Sequence, residues 1–263
     1  MIDASREPIL KIRGICKSFG RKKVLDGLDL DVYEGEVLAI LGPSGCGKSV
    51  LLKHIIGLLT PDEGEIFYRG RAVCEMNEEE LNALRRDFGM LFQGAALFDS
   101  LTVGENVSFG LREHTRLGPA EIEAIVEEKL ALVGLPGIAR MRPAELSGGM
   151  KKRVGLARAI AMNPKVILYD EPTTGLDPVM VTIIDTLTKR MNEKLGVTTV
   201  LVTHDLVSAF RVADRLAMHF GGRIIAVGTP AEFRASGNEI VKQFITGSTE
   251  GPITEMHESV RVA

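Results

Sequence analysis

Apolar side chains recur at every second position in the opening runs ILKIRGI (9–15) and LDLDV (28–32). That period belongs to strands with one face on a core and the other toward water. EVLAIL (36–41) drops the alternation and ends at a glycine-rich stretch, which predicts a central strand covered on both faces. A helix is expected over Leu51–Leu59, and GEIFYRG (64–70) reads as another edge-type strand. From about 94 to 145 the pattern turns helical. PAEIEAIVEEKLALVGL is its clearest part, with Pro119 suited to a first turn and Ile122, Ile125, Val126, Leu130 and Val133 on one stripe. The strand-helix rhythm then returns in VILY (166–169), a helix near 179–194, VTTVLVT (197–203), another helix, and LAMHF with RIIAVG joined by Gly221 and Gly222 as a hairpin.

This order predicts an α/β fold over residues 1–245: a parallel-sheet core, antiparallel strands before it, and a helical lobe of about 94–150 inserted in it. Residues 246–263 show no sustained period, and composition alone makes them a mobile tail.

A chain of 263 residues has room for a sizeable core. With 45% apolar and 25% charged residues it falls in the ordinary globular range. Its net charge of −3 offers no overall basic field, so nucleic acid is not the expected partner. Cys16, Cys46 and Cys74 are odd in number and widely spaced, which suits a reducing compartment better than a disulfide framework or zinc site. No apolar run approaches membrane-spanning length and the start lacks a signal peptide's pattern. The expectation is a cytosolic protein whose membrane association comes through a partner.

The chemistry concentrates in a few stretches. GPSGCGKS (42–49) matches the phosphate-binding pattern G-x-x-x-x-G-K-[ST] between a strand and a helix. Its glycines let successive N–H groups point inward as an anion nest, and the helix N-terminus adds partial positive charge. Gly42, Pro43, Ser44, Gly45, Cys46, Gly47, Lys48, Ser49 and Val50 are therefore candidate nucleotide contacts, Lys48 toward the terminal phosphates and Ser49 toward Mg²⁺. Cys46 fills a variable position and reads as a tolerated small residue. VILYDEP (166–172) puts two carboxylates at a strand end, where ligands of open parallel sheets gather. Asp170 is the candidate for holding Mg²⁺, directly or through water, and Glu171 for polarising the attacking water. His204 ends the next buried strand as a candidate phosphate contact, and Gln93, where core meets lobe, as a sensor of metal or water.

Taken in order, these residues resemble the ATP-binding subunits of ABC transporters, a family of P-loop NTPases with a RecA-like core. The likeness runs over nearly the whole chain: Phe19 in the aromatic loop, the phosphate loop at 42–49, Gln93, LSGGM for the signature, Asp170 with Glu171, GLD at 175–177 and His204. It implies that ATP and Mg²⁺ are bound, and that Ser147, Gly148 and Gly149 open a helix whose free N–H groups meet ATP held by a second subunit. Two chains would then sandwich two ATPs in an isologous homodimer, closed by ATP binding and loosened by hydrolysis. Met150, Val154, Ala157 and Ala161 should face inward on that helix. The run Lys151, Lys152, Arg153 reads most simply as a solvated face, with phosphate-side electrostatics as the alternative. Two positions depart from the family pattern. Phe19 stands where tyrosine is frequent, which keeps stacking and loses a hydroxyl. Met150 stands where the signature usually has glutamine and cannot replace its amide.

FQGAALFDSLTVGENVSFGLREHT, LSGGMKKR, YDEPTTGLDP and VKQFITGSTEGP together resemble the ATPases of the maintenance-of-lipid-asymmetry type, which serve MCE-protein lipid transporters of the bacterial envelope. The resemblance implies a location on the cytoplasmic face of the inner membrane. It also implies a polytopic permease, a periplasmic MCE-domain protein and a small STAS-domain protein as partners, with the tail reaching across to the other ATPase subunit. That tail and the mobile one are compatible if it orders on assembly. The rival readings are an importer of amino acids or osmolytes, a soluble ABC protein of DNA repair or translation, and a non-hydrolysing scaffold. The last is disfavoured by the presence of both Lys48 and Glu171.

Overall fold

In the computed structural model, which describes residues 7–254, the alternating runs form one sheet and the continuous runs another. Strand β1 (Pro8–Phe19) pairs antiparallel with β2 (Lys22–Tyr33) on one side and β4 (Glu63–Tyr68) on the other. A short β5 (Arg71–Ala72) completes the order β2-β1-β4-β5. β1 and β4 cross so closely that a Cβ on Gly64 would sit 2.3 Å from the carbonyl oxygen of Gly14, and glycine's φ of 84° there adds a second reason for it.

The second sheet has the order β10-β9-β3-β8-β7-β6. Its central strands are β3 (Val37–Leu41), β8 (Thr198–Thr203) and β7 (Val166–Asp170), every residue of which is buried. β6 (Phe88–Leu91) and β9 (Arg215–Phe220) extend the parallel ladder, and β10 (Arg223–Gly228) turns back antiparallel through Gly221 and Gly222. Alternate residues of β3 feed two cores: Val37, Ala39 and Leu41 on one face, Leu38 and Ile40 on the other. The second face packs on helix α1 (Lys48–Ile55) and the antiparallel sheet.

α1 starts three residues earlier than expected and ends four sooner. Several elements, the short β5 and the helices after β10 among them, have no counterpart in the sequence reading. α2 (Glu78–Arg86) carries a capping box between Asn77 and Glu80, a legible signal that was missed. β6 is four residues long, too short for periodicity to register. Its Gly89 lies against the main chain of α5 (Gly148–Ile160), where a Cβ would fall 2.3 Å from the Ala159 oxygen.

The lobe consists of α3 (Val103–His114), capped by Thr102 and Glu105, α4 (Pro119–Leu132) and the start of α5. Val126, Leu130 and Val133 are buried and Ile122 and Ile125 half-buried, as the stripe required. Helices α6 (Pro178–Leu195) and α7 (Leu206–Val212) cover the same face of the sheet, and α8 (Pro230–Arg234) and α9 (Glu239–Thr246) close its β9 end. The segment after α9 differs from the mobile tail that composition suggests. Buried Gln243 donates through Nε2 to Thr254 Oγ1 at 2.7 Å, and its Oε1 accepts from the Ile253 N–H at 2.7 Å, so 247–254 fold back on α9. The rest of the expected tail, 255–263, lies outside the described residues. No helix among the described residues is long and apolar enough to cross a membrane.

Candidate ATP-binding and hydrolysis site

β3, β7 and β8 run parallel, so Gly42, Asp170 and Thr203 emerge at one edge of the sheet. From there the chain turns through residues 42–47 into α1. Gly42 lies so near β9 that a Cβ would come 2.4 Å from the His219 carbonyl oxygen. Gly45 and Gly47 have φ of 75° and 112°, outside the comfortable range of side-chain-bearing residues. α1 has neither a side-chain cap nor an acidic residue in its first turn. Its leading N–H groups and positive dipole end therefore face the loop with no side-chain cap among the described residues, as an anion site requires.

A cleft of about 330 Å³ opens over this loop, lined by Val24, Ser44, Gly45, Gly47, Lys48, Ser49, Val50, Gln93, Glu171 and His204. Lys48 is buried; its Nζ donates to the carbonyl oxygens of Gly42 (2.8 Å) and Pro43 (3.0 Å) and lies 3.7 Å from Glu171 Oε1. Ser49 Oγ donates to Asp170 Oδ1 at 2.7 Å. Glu171 Oε2 lies 2.7 Å from His204 Nδ1 and accepts from Thr174 Oγ1 at 3.2 Å. The Glu171 main chain has φ of 50°, in the left-handed region, and its N–H donates to the Val202 oxygen at 2.9 Å. A non-glycine residue there costs on the order of 1–3 kcal/mol, which the bonds to β8, Thr174 and His204 help offset.

The hydroxyl of Ser49 and the carboxylate of Asp170 form a hard-oxygen pair beside the phosphate loop, and such donors suit Mg²⁺. Chemically the cleft joins an anion cradle, a cation and a carboxylate held by an imidazole.

The remaining sequence candidates lie elsewhere. Phe19 is about half exposed at the end of β1 and is not among the residues lining the cleft, although Val24 of the neighbouring strand is. Ser147 caps α5 through Oγ, which accepts from the Met150 N–H at 3.3 Å; Ser147 and Gly148 are exposed and Gly149 is buried against Met180 of α6. None of the three lines the cleft. Met150 is half-buried against the core, with Val154, Ala157 and Ala161 buried beside it. Cys46 Sγ sits 2.9 Å from His219 Nδ1, and burial pushes its thiol up, away from the reactive thiolate.

The basic run corrects the expectation of a solvated face. Lys152 is buried, and its Nζ donates to the main-chain oxygens of Gln93 and, at 3.3 Å, Glu171. Arg153 Nη1 donates to the Gly134 oxygen at 3.2 Å. Thr174 and Lys152 were missed as neighbours of Glu171. A signal for Lys152 existed: Val154, Gly155, Leu156, Ala157, Ala159 and Ile160 surround α5 with apolar positions, so a lysine among them needs an internal partner.

Comparison with known proteins agrees with this geometry. The ABC transporter family model matches residues 25–174. The intermembrane phospholipid transport system ATP-binding protein MlaF of Haemophilus influenzae is 42% identical over 93% of this chain and 93% of its own. The probable ribonucleotide transport ATP-binding protein mkl of Mycobacterium leprae is 43% identical over 93% of this chain and 70% of its own. A dimeric ATP-binding cassette, MJ0796, solved in a post-hydrolysis state with ADP and Pi, has 34% identity and a TM-score of 0.78, covering 84% of this chain and 98% of that one. By its matched fold, its phosphate loop and its carboxylate pair, the chain belongs to the ATP-binding proteins of the ABC transporter family and is an ABC-type ATPase.

Proposed function

We propose that this chain is the ATP-hydrolysing subunit of a transporter that moves phospholipid or a related lipid across the bacterial cell envelope, seated on the cytoplasmic face of the inner membrane. The observation that carries the reading is the similarity to MlaF over nearly the full length of both chains. The name of mkl favours a second cargo, ribonucleotide.

In the proposed mechanism, N–H groups of residues 44–50 cradle the phosphates of ATP and Lys48 moves from its two carbonyl partners to the terminal phosphates. Ser49 and Asp170 would hold Mg²⁺, and the ion would supply neutralisation of charge on the β- and γ-phosphates. Glu171 orients and polarises the attacking water. His204 keeps that carboxylate in place and faces the γ-phosphate, while Gln93 reports on metal and water. Phe19 offers a stacking surface for adenine. The exposed N-terminus of α5 at Ser147 and Gly148 needs an acceptor from outside the chain; in this reading it is the ATP of a second copy, so each site is completed across a homodimer.

Between core and lobe a groove runs along Phe92, Phe98, Phe109 and Met162, with the rings of Phe98 and Phe109 exposed and 5.0 Å apart. We assign this apolar surface, next to the Gln93 loop, to the permease. The MCE-domain and STAS-domain partners are carried by the resemblance. The test is mass spectrometry of the lipids and proteins that purify with the tagged chain in mild detergent. A permease with bound phospholipid supports the reading; a permease enriched in ribonucleotide, or none, overturns it.

A further inference from the structure

Lys152 has a role that neither the phosphate loop nor the water-polarising group explains. It lies in the second turn of α5, buried, with Nζ bonded to the main-chain oxygens of Gln93 and Glu171. Burial of an ammonium is costly unless its protons find acceptors. Here desolvation pulls the lysine down, and the nearby negative charges of Glu171 and Asp170 partly restore it. A side chain that served only to fill space would be apolar at this point, but it would take away the Lys152 donor from the Gln93 carbonyl and leave the Glu171 carbonyl only the Thr174 N–H at 3.4 Å.

Both peptides held by Lys152 belong to strained loops. Glu171 has φ of 50°, and beyond Gln93 the residues Ala95 and Ala96 have φ of 61° and 47°. Left-handed backbone in residues with a side chain persists only where surrounding contacts enforce it. α5 supplies those contacts twice. Two turns past Lys152, Arg158 donates to the oxygens of Ala95 (2.7 Å) and Ala96 (2.6 Å). One helix thus fastens the Gln93 loop at both ends and joins it to the Glu171 peptide, and the same helix begins at Ser147.

We propose that Lys152 is a positioning residue for ATP hydrolysis: it ties the Gln93 loop to the Glu171 loop, so that these two side chains keep one register over the phosphate loop and shift together when α5 moves. The proposal deepens the assignment of Glu171 to the attacking water and rests on it. Lysine suits the task because a flexible stem brings several N–H donors to one point, so two carbonyls at different angles share one group.

The experiment compares Lys152→Met, Lys152→Arg and Glu171→Gln in the full-length chain, reading kcat and KM for ATP, thermal stability, and hydrogen exchange of the peptides around 91–97 and 170–175. Lys152→Met should lower kcat by about tenfold or more with KM for ATP changed less than about twofold, the pattern of lost transition-state geometry with intact binding. Lys152→Arg should restore a large part of kcat. Exchange should rise in both loops together and stay unchanged in the strand β3. Wild-type kcat in Lys152→Met while Glu171→Gln is inactive overturns the proposal, as does a loss of kcat that arginine does not rescue with both loops unchanged in exchange. Normal turnover by Glu171→Gln sinks the water assignment instead, and the exchange of the two loops then decides the role of Lys152 by itself. If Lys152→Met does not fold, Lys152→Gln, which keeps a donor, should fold and show the same coupled rise in exchange to a smaller degree; its absence overturns the proposal.

Discussion

His204 Nδ1 lies 2.7 Å from Glu171 Oε2, linking the residues that follow two adjacent strands across the mouth of the cleft. This contact fixes one oxygen of the carboxylate and leaves the other, Oε1, on the side of Lys48. Glu171→Gln keeps the size and the contact to His204 but removes the proposed base. We expect ATP binding to survive and turnover to fall by roughly 10²–10³-fold, on the scale of about 3 kcal/mol for one preorganised electrostatic contact. Lys48→Ala should instead lose ATP affinity. Phosphate release and equilibrium ATP binding separate the two, and normal turnover by the glutamine variant removes Glu171 from the mechanism.

Ser147→Arg addresses the proposed cross-subunit site. Ser147 is exposed and caps only its own helix, so its loss costs the monomer about 1 kcal/mol. Hydrolysis should nevertheless be abolished, because a long side chain obstructs the nucleotide of the facing copy. A variant that melts near the wild-type temperature yet still hydrolyses ATP at the normal rate would refute the shared site.

Met150→Gln tests the departure in the signature. The Met150 side chain packs half-buried against the lobe and core, so in the proposed shared site nucleotide recognition is left to Ser147 and the helix N–H groups. Turnover should change by less than about threefold, while stability drops by about 1 kcal/mol for placing an amide in an apolar site. A large gain in rate in the ATPase assay would show that the missing amide matters.

Stability should weaken in mild acid. His219 is fully buried, and burial holds its pKa down to about 4, with the Lys48 charge acting the same way. The unfolded chain takes up this proton near pH 6.5. Because the folded pKa is the lower one, the contribution is complete above pH 6.5 and is lost as pH falls from 6.5 toward 4. Between pH 7 and 5.5 the loss is about 1 kcal/mol. His54, also lowered by burial, adds in the same direction. Urea melts at the two pH values check this, and His219→Gln should flatten the difference; an unchanged difference would locate the proton uptake elsewhere.

Replacing Phe98 and Phe109 together by Asp should leave ATP binding intact and detach the chain from its permease, since both rings are exposed and their removal leaves no cavity in the core. Co-purification of the permease at the wild-type level would move the docking surface elsewhere.

Much of the fold was legible because its signals are local. Alternation separated the strands of the antiparallel sheet from the fully buried β3, β7 and β8, and Pro119 with the Ile122 to Val133 stripe marked α4. The misses were also local: β6 is too short to show a period, and the Asn77 and Glu80 box that starts α2 was there to be read. The site divides differently. The loop at 42–49 is contiguous, so its pattern alone implies a nest of N–H groups. The relation between Lys152 and the Gln93 and Glu171 carbonyls joins three distant segments, and no spacing along the chain encodes it.

By itself, then, the sequence determined the elements whose cause is a run of neighbouring residues: the strands, the helix stripes, and an anion cradle built from backbone. Tertiary structure alone decided which charges became partners. Parallel pairing of β3, β8 and β7 brings Ser49 to Asp170 and His204 to Glu171 at one edge, and the packing of α5 turns Lys152, which in the sequence belongs to a solvated basic run, into a buried tie between two loops. The reason is physical: hydrophobic burial fixes the element faces through local periodicity, whereas the cost of an unpaired buried charge is settled only by the groups that the completed fold places around it.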